Sequence, residues 1–278
     1  MKIGITIFLT DRTIGVVELA REVESRGFSS LWFPEHTHIP VSRRTPAPIG
    51  PGDLPEEYYR CLDPVVALTA AATVTTDLVL GTGVSLVAQH NPIDYAKSWA
   101  TLDMVSGGRT RFGVGFGWNV EEMADHGVVY ATRRDKAREH ALAMQRIWEH
   151  DEAGFEGEYV SFEPTFSWPK PVQRPRIPTL IGGGAGPVMF RHVAEWADGW
   201  LPIGGRGVRE AVPKLHEAWA AADRSGTPQI IPFGTVPSHE KLEYYASVGC
   251  TEVVLRLESY DRDGALRQLD DLGQYLTR

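Results

Sequence analysis

Residues 78–115, LVLGTGVSLVAQHNPIDYAKSWATLDMVSGGRTRFGVG, spell out a strand, a helix and a second strand. LVLGTGV (78–84) is short, apolar and bounded by turn residues, the pattern of a buried strand. Asn91-Pro92 then predicts a helix start. The Asn side chain can accept from first-turn N–H groups, and proline at N1 lacks only a donor that would have no partner there. Ile93, Ala96, Ala100 and Met104 recur at helical spacing until Ser106-Gly107-Gly108 stops them. RTRFGVG (109–115) is the next strand. Two strands joined through a helix pair in parallel by a right-handed crossover.

The same unit repeats outward in both directions. Toward the start, Asp63-Pro64 repeats the cap-plus-proline signal, SSLWFP (29–34) is a strand, and residues 14–26 place Val16, Leu19, Ala20 and Val23 on one helical face before Gly27. KIGITIF (2–8) is the first strand. Toward the end, a helix over about 132–150 stacks Ala137, Ala141, Met144 and Trp148. Strands at 178–182, 199–203, 229–233 and 251–257 alternate with helices from 187, over 208–224 and over 238–247, and Leu266, Leu269, Leu272 and Leu276 face inward from the last helix. Eight β/α units with nearly continuous apolar strands predict an α/β fold, a closed (β/α)8 TIM barrel forming one domain over residues 1–278. An open doubly wound sheet is the alternative. Long connections interrupt the alternation after strand two (35–62) and before strand five (154–178). The second contains a hairpin pattern, FEGEYVSF at 155–162, and connections of this length are expected to act as lids or insertions.

Bulk properties narrow the partners. The 278 residues carry a formal net charge of −8, so nucleic-acid binding has no electrostatic support. The two cysteines, Cys61 and Cys250, lack metal-ligand spacing and read as reduced thiols of a cytoplasmic protein. No apolar run approaches the ~20 residues of a membrane helix. The apolar residues 1–9 read as a strand and not as a signal peptide.

In a barrel the loops after the strands build the site. Strand two runs into Glu35-His36-Thr37-His38, a carboxylate beside an imidazole that can serve as acid, base or ring-contacting donor. A metal there would need a third ligand, which no standard spacing supplies. Strand three ends in Gly81-Thr82-Gly83-Val84, where glycines in a buried strand indicate either a close backbone approach or a bulge. Strand four leads to Gly113-Val-Gly115-Phe-Gly117-Trp118-Asn119, without a helix promptly after the glycines, so a dinucleotide fingerprint is not met. Strand five delivers Gly182-Gly183-Gly184-Ala185-Gly186-Pro187 directly into a helix, where exposed amides and the helix N-terminus suit a phosphate. Arg43-Arg44 and Arg133-Arg134 are either solvated pairs or attractors of an anionic cofactor.

Taken together, GFSSLWFPEH (27–36), residues 80–118 and IGGGAGPVMFRHVAEWADGW (181–200) resemble the luciferase-like superfamily, and within it the coenzyme F420-dependent oxidoreductases. The resemblance implies a ring at the barrel mouth over a bulged strand with a non-proline cis peptide at Gly83–Val84. It implies a phosphate cradle at Gly183, Gly184, Ala185 and Gly186, and a cofactor cleft lined by His90 and Asn91, with Gly115 and Trp118 completing the set. Glu35 and His36 match the family's strand-two pair and are the catalytic candidates. Trp118 stands where the sugar-phosphate dehydrogenase branch has an acid, which argues against that chemistry. The departure leaves the general acid open, with His36 the first candidate and Glu35 or Glu122 next. The implied activity is hydride transfer between F420 and a small organic substrate. The alternatives are a reduced-FMN monooxygenase on the same barrel and a catalytically silent flavin-binding homologue. Family barrels often pair through their helices, so a homodimer is also expected.

Overall fold

Short β-rich runs separated by amphipathic helices produce a curled, parallel sheet wrapped by helices. The chain is described by a computed structural model covering residues 1–276 except 49, 51, 206 and 259. It begins with β1 (Lys2–Thr6), α1 (Val16–Ser25) and β2 (Ser30–Phe33). The long connection that follows, which holds residues 49 and 51, carries the one-turn helix α2 (Glu57–Arg60) and leads to α3 (Pro64–Ala72). Then come β3 (Val79–Thr82), α4 (Pro92–Ser106), β4 (Thr110–Val114), α5 (Val120–Asp125) and α6 (Arg133–Glu149). A hairpin of β5 (Glu152–Glu156) and β6 (Ser161–Phe166) precedes β7 (Thr179–Gly182), α7 (Pro187–Trp196), β8 (Gly199–Leu201) and α8 (Val208–Ala221). The chain closes with β9 (Gln229–Ile230), β10 (Phe233–Thr235), α9 (His239–Ser247), β11 (Glu252–Arg256) and α10 (Arg262–Gly273).

Nine strands form one sheet in the order β10-β11-β1-β2-β3-β4-β7-β8-β9, with parallel pairing throughout. Its two end strands are consecutive in the chain, separated by Ile231 and Pro232. Ile231 N–H donates to Trp200 O at 3.0 Å on one side, and Pro232 O accepts from Val254 N–H at 2.8 Å on the other. The expected strand at 229–233 is therefore two short pieces, because Pro232 has no N–H to give a ladder. The concave side is filled by Trp32, Leu180, Leu201, Ile231, Phe233 and Val254. The convex side packs against the helices, where Trp99, Trp148 and Trp196 are fully buried.

The expected caps are present. Asn91 accepts from Ile93 N–H (2.9 Å) and Asp94 N–H (3.3 Å), and Asp63 accepts from Val66 N–H (2.8 Å). The expected apolar stripe on α4 is partly wrong. Ala96 and Ala100 are buried, but Met104 is half exposed, and Tyr95, Trp99 and Leu102 take the core positions. The helix packs against α3 on one side and α6 on the other, which widens and rotates its buried face. The hairpin is longer than expected and begins at Glu152, not 155. A helix does follow the strand-four glycines, since α5 starts directly after Asn119. Among the described residues no helix is long and apolar enough to cross a membrane.

Candidate functional site

The end of β3 forms the floor of the site. Thr82 Oγ1 donates to Gly113 O and accepts from Gly113 N–H, holding β3 against β4. Beyond it the Gly83–Val84 peptide is cis, as the resemblance implies, and Ser85 N–H returns to Gly113 O at 2.7 Å. Val84 packs onto the interior cluster. Any Cβ at Gly115 or Gly182 would overlap the Val84 methyls, and one at Gly83 would overlap the Phe233 ring. These three positions need glycine so that Val84 can lie across the mouth as an apolar platform.

Glu35 is buried, only 3% exposed, and both of its oxygens are occupied. One accepts from Ser85 Oγ (2.7 Å) and Leu86 N–H (2.6 Å), the other meets His90 Nε2 at 2.6 Å. The His90 ring stacks on Tyr95 at 3.8 Å, and the Tyr95 hydroxyl in turn bonds Ser85. Burial alone would raise the Glu35 pKa, but the His90 bond and charge, with the Leu86 and Ser85 donors, bring it below the ordinary glutamate value. His90 is affected in mirror image: burial lowers it and Glu35 more than compensates, so its pKa is raised. Glu35 is thus placed as a strap between the end of β2 and the β3–α4 connection. It has no free oxygen for proton work.

His36, the next residue, faces the other way. Its Nδ1 lies 2.8 Å from Glu122 Oε2, with both side chains nearly buried at 7% and 1% exposure. Asn119 caps α5 by accepting from Glu122 N–H, which sets the carboxylate under the ring. A carboxylate on Nδ1 fixes a proton there and leaves Nε2 for the cavity. Among the described residues Nε2 has no hydrogen-bond partner. Tyr58 and Trp118 flank the imidazole at 5.5 and 5.7 Å.

Opposite this pair, Gly182–Gly186 leads into α7. A Cβ at Gly184 or Gly186 would meet nothing within 4 Å, and Gly184 and Ala185 are exposed. Among the described residues the amides of Gly184, Ala185 and Gly186 have no acceptor. Gly183 holds a positive φ of 145° and is anchored through Leu201 O and the Trp200 indole. The platform, His36, Gly184 and Ala185 line one cavity of about 570 Å³, with Arg133 and Arg134 at its edge, while Glu122 stands behind His36 and Gly186 lines a separate cavity between α7 and α8. Arg133 is engaged with Gly117 O and Tyr130 O, whereas Arg134 lies over Phe116 with no hydrogen bond among the described residues.

Of the residues singled out from sequence, Gly83, Val84, Gly115, Trp118, Gly183, Gly184, Ala185, Glu35 and His36 border this cavity. His90, Asn91 and Gly186 do not, Gly186 facing a separate cavity along α7 and α8. Asn91 is an exposed helix cap, and His90 reaches the site only through Glu35. Phe8 and Tyr58 border it with no site signal of their own in the sequence, and Glu122, a lower-ranked acid candidate, reaches it only through His36 Nδ1. Asn119 and Glu122 stand at helix-capping spacing, a signal that could have placed that carboxylate. Among the described residues no three His, Cys, Asp or Glu side chains converge as a metal site.

The chain belongs to the luciferase-like monooxygenase family, whose pattern matches residues 11–248. It is 43% identical over 279 residues to the uncharacterized protein Rv0953c of Mycobacterium tuberculosis, covering 99% of each chain. It is 31% identical over 226 residues to an F420-dependent glucose-6-phosphate dehydrogenase of Mycolicibacterium smegmatis, covering 75% of this chain and 60% of that one. In fold it is similar to the monooxygenase RslO1 of Streptomyces bottropensis, with TM-score 0.80 and 20% identity over 99% and 98% of the two chains.

Proposed function

We propose that this chain is an F420-dependent oxidoreductase on a (β/α)8 barrel, moving a hydride between the deazaflavin and a small organic substrate. One observation carries the reading: the Val84 platform, the open Gly184–Ala185 stretch and His36, backed by Glu122, border a single cavity. The residues present fit such a cofactor. The amides and the free Arg134 would hold its phosphate, and Gly83, Val84 and Gly115 would seat its ring. The chemistry the group supplies when bound is acceptance or donation of a hydride.

The chain itself handles the proton. With Nδ1–H held by Glu122, neutral His36 presents the Nε2 lone pair to a substrate hydroxyl and takes its proton in the oxidising direction. In the reducing direction the imidazolium returns a proton to the nascent alkoxide. Glu35 keeps the His36 backbone fixed relative to the platform. Phe8, Tyr58 and Trp118 exclude water from the reacting atoms.

Coenzyme F420 and FMN, each added to purified protein, distinguish the readings by thermal shift and turnover. A cofactor at ~100 times its Kd stabilises by about 2.7 kcal/mol, a shift of several degrees. F420 is expected to give the shift and to be reduced with an alcohol. A shift with FMN alone would overturn the proposal in favour of the monooxygenase reading, which the fold of RslO1 favours. A shift with F420 but no hydride exchange would leave only the silent homologue.

A further inference from the structure

Behind His36, Glu122 uses only half of its carboxylate. Its Oε2 meets the imidazole, while Oε1 is buried with no hydrogen-bond partner among the described residues. A buried carboxylate oxygen without a donor is costly to keep. His126, which caps the end of α5, stands four residues on from Glu122. Such positions lie about 5–6 Å apart at Cβ along one helix face.

From His126 a chain of hydrogen bonds runs to the surface. His126 Nε2 lies 2.7 Å from Thr37 Oγ1, which lies 2.9 Å from His38 Nδ1, and His38 Nε2 lies 3.0 Å from Asp125 Oδ2. The far end meets solvent, the His38 side chain being 40% and that of Asp125 61% exposed. One set of neutral tautomers satisfies all three bonds. Asp125 holds a proton on His38 Nε2, so Nδ1 accepts from the Thr37 hydroxyl, which accepts from His126 Nε2–H. Every donor then points outward. His126 Nδ1 is left without a partner among the described residues. Burial lowers the His126 pKa, the charge on His38 lowers it again, and Glu122 opposes, with His90 and Glu35 acting more weakly in the same two senses. His126 is therefore neutral at neutral pH and suited to hand a proton on.

We propose that His126, Thr37 and His38 form a proton exit from the His36–Glu122 pair to solvent. The inference rests on the hydride-transfer reading for the source of the proton. As the substrate hydroxyl gives its proton to His36 Nε2, the Nδ1 proton passes to Glu122, which turns and releases it from Oε1 to His126 Nδ1. His126 gives its Nε2 proton to Thr37, Thr37 gives its own hydroxyl proton to His38 Nδ1, and His38 gives up its Nε2 proton to Asp125 and water. One proton enters and one leaves, the two electrons travel with the hydride, and the reverse order supplies the proton for reduction.

NMR of the full chain without cofactor reads the path as the exchange of the His36 Nδ1 proton with water at neutral pH. Thr37→Val, a swap of similar volume at an exposed position, and His126→Ala should each slow this exchange about tenfold with unchanged melting, and Thr37→Ser should keep the wild-type rate. In F420 turnover at low buffer concentration, His126→Ala should lower kcat about tenfold, and added imidazole should recover it. Exchange unchanged in both variants, Thr37→Ser as slow as Thr37→Val, or a kcat loss that imidazole leaves in place would overturn the exit. Slowed exchange in a protein that shows no F420 turnover would overturn the hydride reading alone, because exchange is measured without the cofactor.

Discussion

Replacing Glu35 separates a strap from a catalyst. Glu35→Ala deletes one acceptor of Leu86 N–H and Ser85 Oγ and the partner of His90, all at 2.6–2.7 Å in a buried setting. Hydrogen bonds to a charged group contribute about 1.5–3 kcal/mol each. His90 can shed its proton and Ser85 keeps Tyr95, so the net loss is about 3–4 kcal/mol, near the range for breaking a buried pair. In a chain of this size that is a fall in Tm of roughly 6–10 °C. Glu35→Gln keeps an oxygen for Leu86 and Ser85 and offers an amide to neutral His90, so only about 1–2 kcal/mol should be lost. The pH dependence follows from the two shifts. Glu35, lowered in the fold, stabilises above its unfolded pKa, and this is lost as pH falls through the folded value. His90, raised in the fold, stabilises below its unfolded pKa, and this is lost as pH rises through the folded value. The gap between wild type and Glu35→Gln should therefore be widest from roughly pH 5 to 6.5 and narrow on both sides. Urea denaturation across pH measures it. A gap that keeps growing toward pH 9 or pH 3, or a Glu35→Ala cost below about 1 kcal/mol, would refute the reasoning.

In the F420 assay, His36→Asn should lower kcat by about 10²-fold or more with little change in cofactor binding, and Glu122→Gln by about tenfold. An unaffected kcat in either variant removes the proton role. Gly184→Asp places a negative charge in open space at the cradle. Cofactor affinity should drop at least about tenfold while the apo-protein Tm stays put, and unchanged affinity in a titration would move the anion elsewhere. Burial pushes the Cys61 thiol up to about 11 and the Cys250 thiol up to about 12. Both should resist iodoacetamide at neutral pH in the native protein and react fully in denaturant, as mass spectrometry would show.

Much of the frame was legible because it is local. Asn91-Pro92 and Asp63-Pro64 announce their helices through capping chemistry that spans three residues, and Gly182–Pro187 announces a strand-to-helix turn. Short elements were less legible. The six residues of α5 are too few to display a period, and Pro232 interrupts a run whose apolar character reads as continuous. The site's chemistry was least legible, because its partners are far apart in the chain. Glu35 and His90 are separated by 55 positions and His36 and Glu122 by 86, so no spacing rule links them. Adjacent Glu35 and His36 both read as catalytic candidates, with His36 first. Which one faces the cavity and which one the Ser85 hydroxyl depends on how β2 ends against β3.

That last arrangement makes the site intolerant of length changes. Because consecutive side chains along an extended segment look to opposite sides, adding or deleting one residue between β2 and Glu35 would exchange their destinations. The carboxylate would turn toward the reacting atoms, and the imidazole would be driven into a slot cut for an acceptor of Ser85 and Leu86. The number of residues between β2 and Glu35 is therefore set by the site itself.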